Sequence, residues 1–195
     1  RGLLWIGSSS GVTSFDPARV RFTRMALFAG DPKANNVRAM MTDRAGYIWI
    51  TTRGGMHRLD PQSRQIVSYR HDPSKHASLS ANMARPMLED RHGRLWVGTF
   101  NGLDLLDRAN GRFRHLRHDP ADPASLSHNE VHHIMEDSKG TLWVGTAVGL
   151  NRAVTAPDGS LSFVRYTTAD GLVDDGVAAM LEDADGRLWV STNGG

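Results

Sequence analysis

The chain has 195 residues, 39% hydrophobic and 23% charged, a balance typical of a soluble globular protein with a substantial core. No apolar run approaches the roughly 20 residues that cross a bilayer, and the first residues lack a charged-then-apolar pattern, so we expect any targeting or membrane segment to lie outside this stretch. A formal charge of +2 without a dense Lys/Arg stripe argues against nucleic acid as a partner, and the lack of cysteine excludes disulfides and thiolate metal sites.

Tryptophan recurs at nearly fixed spacing along the whole chain. The intervals are 44, 47, 47 and 46 residues, between Trp5, Trp49, Trp96, Trp143 and Trp189. Glycine stands three residues before and six residues after each of them, and aspartate stands six before each of the last four. A period in this range is typical of propeller blades. The pattern predicts repeats at 1–36, 37–82, 83–129 and 130–176, and a partial repeat at 177–195.

In chain order, each cycle predicts short strands separated by Asp and Gly turns. The first repeat predicts strands over 3–7, 12–15 and 21–28, followed by a polar loop over 29–36. The strands predicted in the later repeats include 65–70, 83–89, 112–117, 131–136, 149–154, 161–166 and 177–182. Four strands per cycle is the number that a blade requires. The fold class predicted is therefore all-β, a β-propeller arc of about four four-stranded blades.

The first strand of each cycle, called the inner strand here, carries two mostly apolar columns. They are expected on opposite strand faces, and their members are Val37, Ala84, Val131 and Val177, and Met40, Met87, Ile134 and Met180. Pro86 fits such a strand only at the edge of its sheet, because proline lacks a ladder donor. The long loops end in Asn82 and Asn129, with Asn35 and Asp175 in the same column, and we expect these side chains to close the loops.

The ends of the chain fall within repeats. The sequence starts four residues before the first tryptophan and stops at the last glycine of a repeat. We therefore expect it to be a piece of a longer array of repeats.

The repeated pattern Asp-x-x-Gly-x-Leu-Trp-Val-Gly-Thr-x-x-Gly-Leu, with an Asp-Pro turn and a Ser-Leu-Ser-x-Asn loop, resembles the two-component regulator propeller repeat over essentially the whole chain. Two local departures are Val154, in place of the Asp at the equivalent position of earlier repeats, and the loop over 167–176. The resemblance implies part of a seven-bladed propeller in the periplasmic sensor region of a histidine kinase, hybrid regulator or diguanylate cyclase, with the parent protein anchored in the inner membrane.

The candidate ligand-binding residues vary between repeats and lie where a propeller gathers its inner-strand loops on one face. Arg38, Arg85, His132 and Ala178 occupy one column at the start of the inner strands, and three of them are cationic or titratable. Arg53 and Asn101 lie in turns expected on the same face, together with His128 and Asn129. Such a group could hold a carboxylate, sulfate or uronic acid. The alternative is a solvated or ion-paired channel lining.

The function predicted from the resemblance is ligand sensing, without catalysis in this region. The expected partners are a small-molecule or oligosaccharide ligand and other blades or a second sensor chain, with no cofactor, no metal and no membrane contact by this region. Two alternatives stay open. A lyase or hydrolase would place a histidine and an acid within hydrogen-bond reach beside a divalent ion. A passive scaffold would present an exposed apolar patch instead.

Overall fold

A computed structural model describes residues 2–28, 31 and 34–195, which form two compact units, Arg1–Ala84 and Arg85–Gly195. The first unit contains two antiparallel sheets in which consecutive strands are neighbours. The three-stranded sheet consists of β1 (Leu4–Ser8), β2 (Gly11–Asp16) and β3 (Arg21–Met25). The four-stranded sheet consists of β4 (Val37–Thr42), β5 (Ile48–Thr52), β6 (Gly55–Leu59) and β7 (Ile66–Tyr69).

The second unit continues the same meander. One four-stranded sheet contains β8 (Ala84–Glu89), β9 (Leu95–Thr99), β10 (Gly102–Asp107) and β11 (Arg112–Leu116). The next contains β12 (Val131–Glu136), β13 (Leu142–Thr146), β14 (Gly149–Thr155) and β15 (Leu161–Tyr166). A two-stranded sheet of β16 (Val177–Glu182) and β17 (Leu188–Thr192) follows. The all-β prediction, with four-stranded antiparallel blades, is confirmed.

The aspartate of each repeat joins a turn to the tryptophan six residues later. Its carboxylate accepts backbone N–H groups within the turn, as predicted, and it also accepts the indole N–H, which was not predicted. The indole bonds measure 2.7, 2.8, 2.9 and 2.8 Å for Asp43–Trp49, Asp90–Trp96, Asp137–Trp143 and Asp183–Trp189. The repeated Asp and Trp residues therefore have a structural role.

Glycine is needed six residues after each tryptophan because of the backbone conformation there, as Gly102 shows. Gly102 has φ of 112°, and a Cβ there would lie 2.5 Å from the carbonyl oxygen of Leu116. Its N–H donates to the carbonyl of Asn129 at 2.8 Å, which ties the turn to the end of the long loop. Only glycine adopts this φ readily and leaves room for the neighbouring strand.

The prediction that the two apolar columns of the inner strand lie on opposite faces is wrong. A β-bulge interrupts the register between Val37 and Ala39, and it inserts one residue into the alternation. A Cβ at Gly7 would lie 2.5 Å from Val37 Cγ1 and 2.9 Å from Met40 Sδ, so both side chains face the preceding sheet. Bulges at the equivalent points of β12 and β16 have the same effect.

Proline is accommodated in β8 because this strand lies at the edge of its sheet, where the order is β11-β10-β9-β8. The prediction for Pro86 is therefore confirmed. Its ring lies against Gly98 on β9, where an added Cβ would be 2.5 Å from Pro86 Cγ.

The loop asparagines close their loops as predicted. Asn82 Oδ1 accepts the N–H of His71, and Asn129 Oδ1 accepts the N–H of His118, both at 2.8 Å. Asp175 Oδ1 likewise accepts the N–H of Thr168, which begins a 3-10 helix, Thr168–Asp170, within the predicted loop 167–176.

Asn35 accounts for the largest error in strand length. The strand predicted over 21–28 ends at Met25, because Asn35 Oδ1 accepts the N–H groups of Leu27 and Phe28 at 2.6 and 2.9 Å. Of the loop predicted over 29–36, residues 29, 30, 32 and 33 lie outside the described residues.

Apolar side chains from adjacent sheets fill the space between them within each unit. In the first unit, Val12 and Trp5 of the first sheet join Ile48, Ile50 and Leu59 of the second. In the second unit, the larger cluster includes Trp96, Leu103, Leu126, Val131, Ile134, Leu142, Val144 and Phe163. Within residues 2–28, 31 and 34–195, no helix is long and apolar enough to span a bilayer.

Candidate functional site

The predicted cationic column lies at the second position of three inner strands. Arg38 follows Val37 at the start of β4 in the first unit, and its side chain is exposed. Arg85 and His132 occupy the equivalent positions of β8 and β12 in the second unit. Both of these side chains contact other residues of that unit.

The Arg85 side chain is held by an aromatic ring and an acid. Its guanidinium carbon lies 4.5 Å from the centre of the Phe100 ring, a cation–π contact, and Nη1 lies 3.9 Å from Oε1 of Glu130. About a third of the side chain stays exposed, at 35%. Phe100 therefore fixes the guanidinium close to a carboxylate while leaving part of it accessible.

His132 approaches the same carboxylate oxygen. Its Nε2 lies 3.2 Å from Glu130 Oε1, and its Nδ1 lies 3.2 Å from the carbonyl oxygen of Val177. Both ring nitrogens thus face acceptors, and an imidazole can donate to both only when both nitrogens carry protons. Glu130 consequently lies between the two predicted ligand-binding side chains of the second unit.

Glu130 was missed by the sequence prediction, although it stands two residues before His132. Its column contains Asn36, Met83 and Gly176 in the other repeats, so the acid occurs once. An anionic ligand that approaches Arg85 and His132 would have to replace a carboxylate that is already present. We call Arg85, His132 and Glu130 the Glu130 cluster, in which one carboxylate lies near two cationic or titratable side chains.

The other candidate residues lie in turns and loops. Arg53, in the β5–β6 turn, is exposed, and its backbone N–H donates to the carbonyl of Asn36 at 3.1 Å. The backbone N–H of Asn101 donates to Thr99 Oγ1 at 2.9 Å, and the Asn101 carbonyl oxygen accepts from Arg117 Nε at 3.2 Å. His128 Nδ1 accepts the N–H of Glu130 at 3.1 Å, which helps to orient the start of β12.

His133, the neighbour of His132, is partly buried. Burial lowers its pKa below the ordinary value of histidine, and its Nδ1 has no hydrogen-bond partner among the described residues. No group of three or more His, Asp or Glu side chains in the described part of the chain could hold a metal ion.

Comparison with protein families identifies the repeats. Four segments match the family described as "Two component regulator propeller", at residues 31–54, 78–101, 125–147 and 171–194. Each segment runs from the end of a long loop, through the inner strand, to the strand that carries the tryptophan. A search of curated proteins found no significant match.

Solved structures share the propeller fold. The extracellular domain of a putative one-component system from B. thetaiotaomicron aligns with a TM-score of 0.73 at 24% identity, over 99% of this chain and 27% of that one. The extracellular domain of a putative hybrid two-component system from the same organism gives 0.62 at 18% identity, over 100% and 31%. Virginiamycin B lyase from Staphylococcus aureus gives 0.68 at 17%, over 100% and 61%. The chain thus spans about a third or less of the first two proteins.

Proposed function

This chain carries the repeats of the two-component regulator propeller family, and we propose that it is a ligand-sensing part of the extracytoplasmic region of a membrane-bound signalling protein. The observation that carries this proposal is the match of four successive repeats to that family. Two of the similar structures are extracellular domains of putative signalling systems, which supports the same assignment. We place the chain in the periplasm, with the parent anchored in the inner membrane and a histidine kinase or diguanylate cyclase as its output.

We assign ligand binding in the second unit to the Glu130 cluster. Arg85 offers a bidentate fork, suited to a carboxylate or sulfate of a small molecule or an oligosaccharide, and His132 offers a second donor. Asn101 is a further candidate because it lies in the turn next to Phe100, which supports Arg85. Arg38 and Arg53 stay predictions for the first unit.

An anionic ligand that binds at this cluster would take the place of the Glu130 carboxylate. Glu130 balances Arg85 and His132 in the free protein, so a bound anion must compete with it. Release of Glu130, whose backbone N–H is bonded to His128, would alter the start of β12. A change at this strand is a local event by which binding could bias the packing of neighbouring blades, provided that two arrangements exist.

The test measures thermal stabilisation and affinity of the full protein with charged and neutral oligosaccharides. Arg85→Ala should weaken binding of an acidic sugar about tenfold or more, and Glu130→Gln should strengthen it because the internal competitor is removed. Glu89→Gln, which removes a carboxylate paired with Arg108 at 2.8 Å in the same unit, is the matched control and should leave affinity unchanged. Arg38→Ala tests the equivalent position of the first unit.

If Glu130→Gln and Glu89→Gln change the ligand affinity equally, the assignment of the site is contradicted, because the effect would then come from the overall charge of the protein. Absence of stabilisation by any acidic or neutral sugar would contradict carbohydrate sensing by this chain. Neither result alters the fold.

An enzymatic role has one observation in its favour, the His132–Glu130 pair at 3.2 Å, since a histidine and an acid within reach of each other can transfer protons. Distant propeller enzymes, including the lyase noted above, share the fold. Turnover of an acidic oligosaccharide that His132→Ala abolishes, while ligand affinity is retained, would favour a lyase or hydrolase over a sensor.

A further inference from the structure

A polar cleft in the first unit lies apart from the candidate residues described above. Its volume is about 310 Å³, and its polar lining consists of Ser14, Asp16, Arg19, Arg21, Thr23 and Arg64. The first five come from β2, β3 and the turn between them, and Arg64 comes from the β6–β7 turn of the next sheet. The cleft is therefore built by two neighbouring blades.

The residue type at the position of Ser14 differs between the blades, whose equivalents are Arg58, Leu105 and Arg152. Ser14 pairs with Trp5 and Thr23 across the first sheet. At the equivalent place of the third sheet, Leu105 pairs with Trp96 and packs against the hydrophobic core. A short hydroxyl side chain where another blade has leucine leaves a space and lines it with hydrogen-bonding groups.

Two hydroxyl side chains, those of Ser14 and Thr23, line this space. Ser14 is only 2% exposed, and Thr23 is partly buried. Neither side chain makes a hydrogen bond to another residue in the part of the chain that the structure describes. A polar ligand in the cleft would therefore find two hydroxyl groups that can donate or accept a hydrogen bond.

The cationic side chains of the cleft exceed its acids. Arg19 Nη1 lies 3.3 Å from Asp16 Oδ2, so one arginine is already paired. Among residues 2–28, 31 and 34–195, neither Arg21 nor Arg64 has a carboxylate within ion-pair distance. Three guanidinium groups and one carboxylate give a net charge of +2 to the lining. This excess matches one doubly charged anion.

Arg64 adopts a backbone conformation that favours glycine. Its φ is 61°, while the corresponding residue of the β10–β11 turn is Gly111, with φ of 72°. Both turns are closed by the same bond, from this residue's N–H to the turn aspartate's carbonyl at 2.8 Å. Val20, at the equivalent position of the β2–β3 turn, has φ of 50°, so the turn itself requires this conformation, which is less favourable for arginine than for glycine.

We propose that this cleft binds a small molecule carrying a doubly charged oxyanion group, sulfate or phosphate, through Arg21, Arg64 and the hydroxyls of Ser14 and Thr23. Guanidinium groups bind the oxygens of such anions in a bidentate manner, and hydroxyls can donate to a third oxygen. The volume lies at the lower end of small-molecule sites, which suits a free ion or one substituted sugar ring and not an extended chain.

The test is calorimetric titration of the full protein at constant ionic strength. The probes are inorganic sulfate, inorganic phosphate, glucose 6-sulfate and glucose 6-phosphate, with chloride and glucose as controls. We expect binding of the dianions and not of chloride or glucose. Tighter binding of the sugar esters than of the free ions would identify a substituted sugar as the ligand, whereas equal binding would identify the ion itself.

Matched variants separate the cleft from general surface charge. Arg21→Ala and Arg64→Ala should each lower dianion affinity about tenfold. Arg112→Ala removes an exposed arginine from the equivalent position of β11, opposite Asp107 as Arg21 is opposite Asp16, and should leave affinity unchanged. Arg85→Ala should also leave it unchanged, so this proposal and the Glu130 cluster can fail separately. An equal loss in Arg112→Ala, or no binding of any dianion, would overturn the proposal.

Discussion

The indole Nε1–H of Trp96 donates a hydrogen bond of 2.8 Å to Oδ2 of Asp90, and both side chains are buried. The other oxygen of this carboxylate accepts the backbone N–H groups of His92 and Arg94. Burial opposes ionisation of Asp90, yet the bonds from Trp96, from the Arg94 N–H and from the Arg94 guanidinium hold its pKa below the usual range. One carboxylate thus closes a turn and fixes the neighbouring strand.

Asp90→Asn should destabilise the protein by about 2 to 3 kcal/mol, because an amide cannot accept the turn and indole bonds as an ionised carboxylate does. Urea unfolding measures this change. Asp183→Asn is the matched control: its bond to Trp189 is also 2.8 Å, but that indole is 58% exposed, so water can replace the lost partner. Equal losses in the two variants would show that burial does not strengthen this bond.

Local signals predicted the strands well. The bounds of β12, β15 and β16 agree with the predicted ranges to the residue, since Asp, Gly and the apolar alternation fix them within a few positions. The two largest errors have specific causes. Asn35 takes the N–H groups that would have extended β3, and the bulge after Val37 redirects Met40.

The candidate site was less predictable than the fold. The column that contains Arg85 and His132 followed from the repeat alone. The position of Glu130 between them depends on how three side chains approach in space, which the spacing does not determine. The cleft at Ser14 was missed because its lining comes from two different sheets, with Arg64 contributed by the β6–β7 turn.

His57 predicts a loss of stability in acid. It is fully buried, its Nδ1 lies 2.9 Å from Ser68 Oγ, and its ring packs edge-on against Phe28. Burial, with a smaller contribution from the charge of Arg70, lowers the pKa of His57 from 6.5 to about 4. Between these values the unfolded chain binds a proton that the folded protein does not, so stability is lost as the pH falls from 6.5 to 4.

The variant His57→Asn, which places at this position the residue found at the equivalent Asn151, should remove that step. Between pH 7 and pH 4, the wild type should lose about 3 kcal/mol more stability than the variant. Chemical denaturation at a series of pH values measures the difference, in which the other titrating groups cancel. Parallel pH profiles for the two proteins would exclude His57 as the cause.

Gly145 and Val177 form a size-matched pair between adjacent sheets. A Cβ at Gly145 would lie 2.6 Å from Val177 Cγ1, and Val177 is fully buried. The same columns pair Gly7 with Val37 and Gly98 with Val131, whereas Thr51 corresponds to the smaller Ala84. A larger side chain at one of these two positions is therefore accompanied by a smaller side chain at the other.

Gly145→Ala should cost about 1 to 3 kcal/mol through overpacking. Val177→Ala should be destabilising by itself because it leaves a cavity. The double variant should be more stable than the sum of the single losses predicts, by about 1 kcal/mol or more, since each change relieves the other. Additive losses in urea unfolding would show that the two positions do not compensate each other.

Arg64 is expected to lower the stability of the free protein through its backbone conformation and to bind the dianion through its guanidinium group. Arg64→Gly should stabilise the free protein by about 1 kcal/mol relative to Arg64→Ala, because glycine adopts the observed φ of 61° at little cost and alanine does not. Both variants remove the same guanidinium, so both should lose dianion affinity to the same extent. Thermal unfolding with and without sulfate, at constant ionic strength, separates the two effects. If Arg64→Gly is no more stable than Arg64→Ala, the left-handed backbone is not strained; if only one variant loses affinity, the guanidinium is not the group that binds.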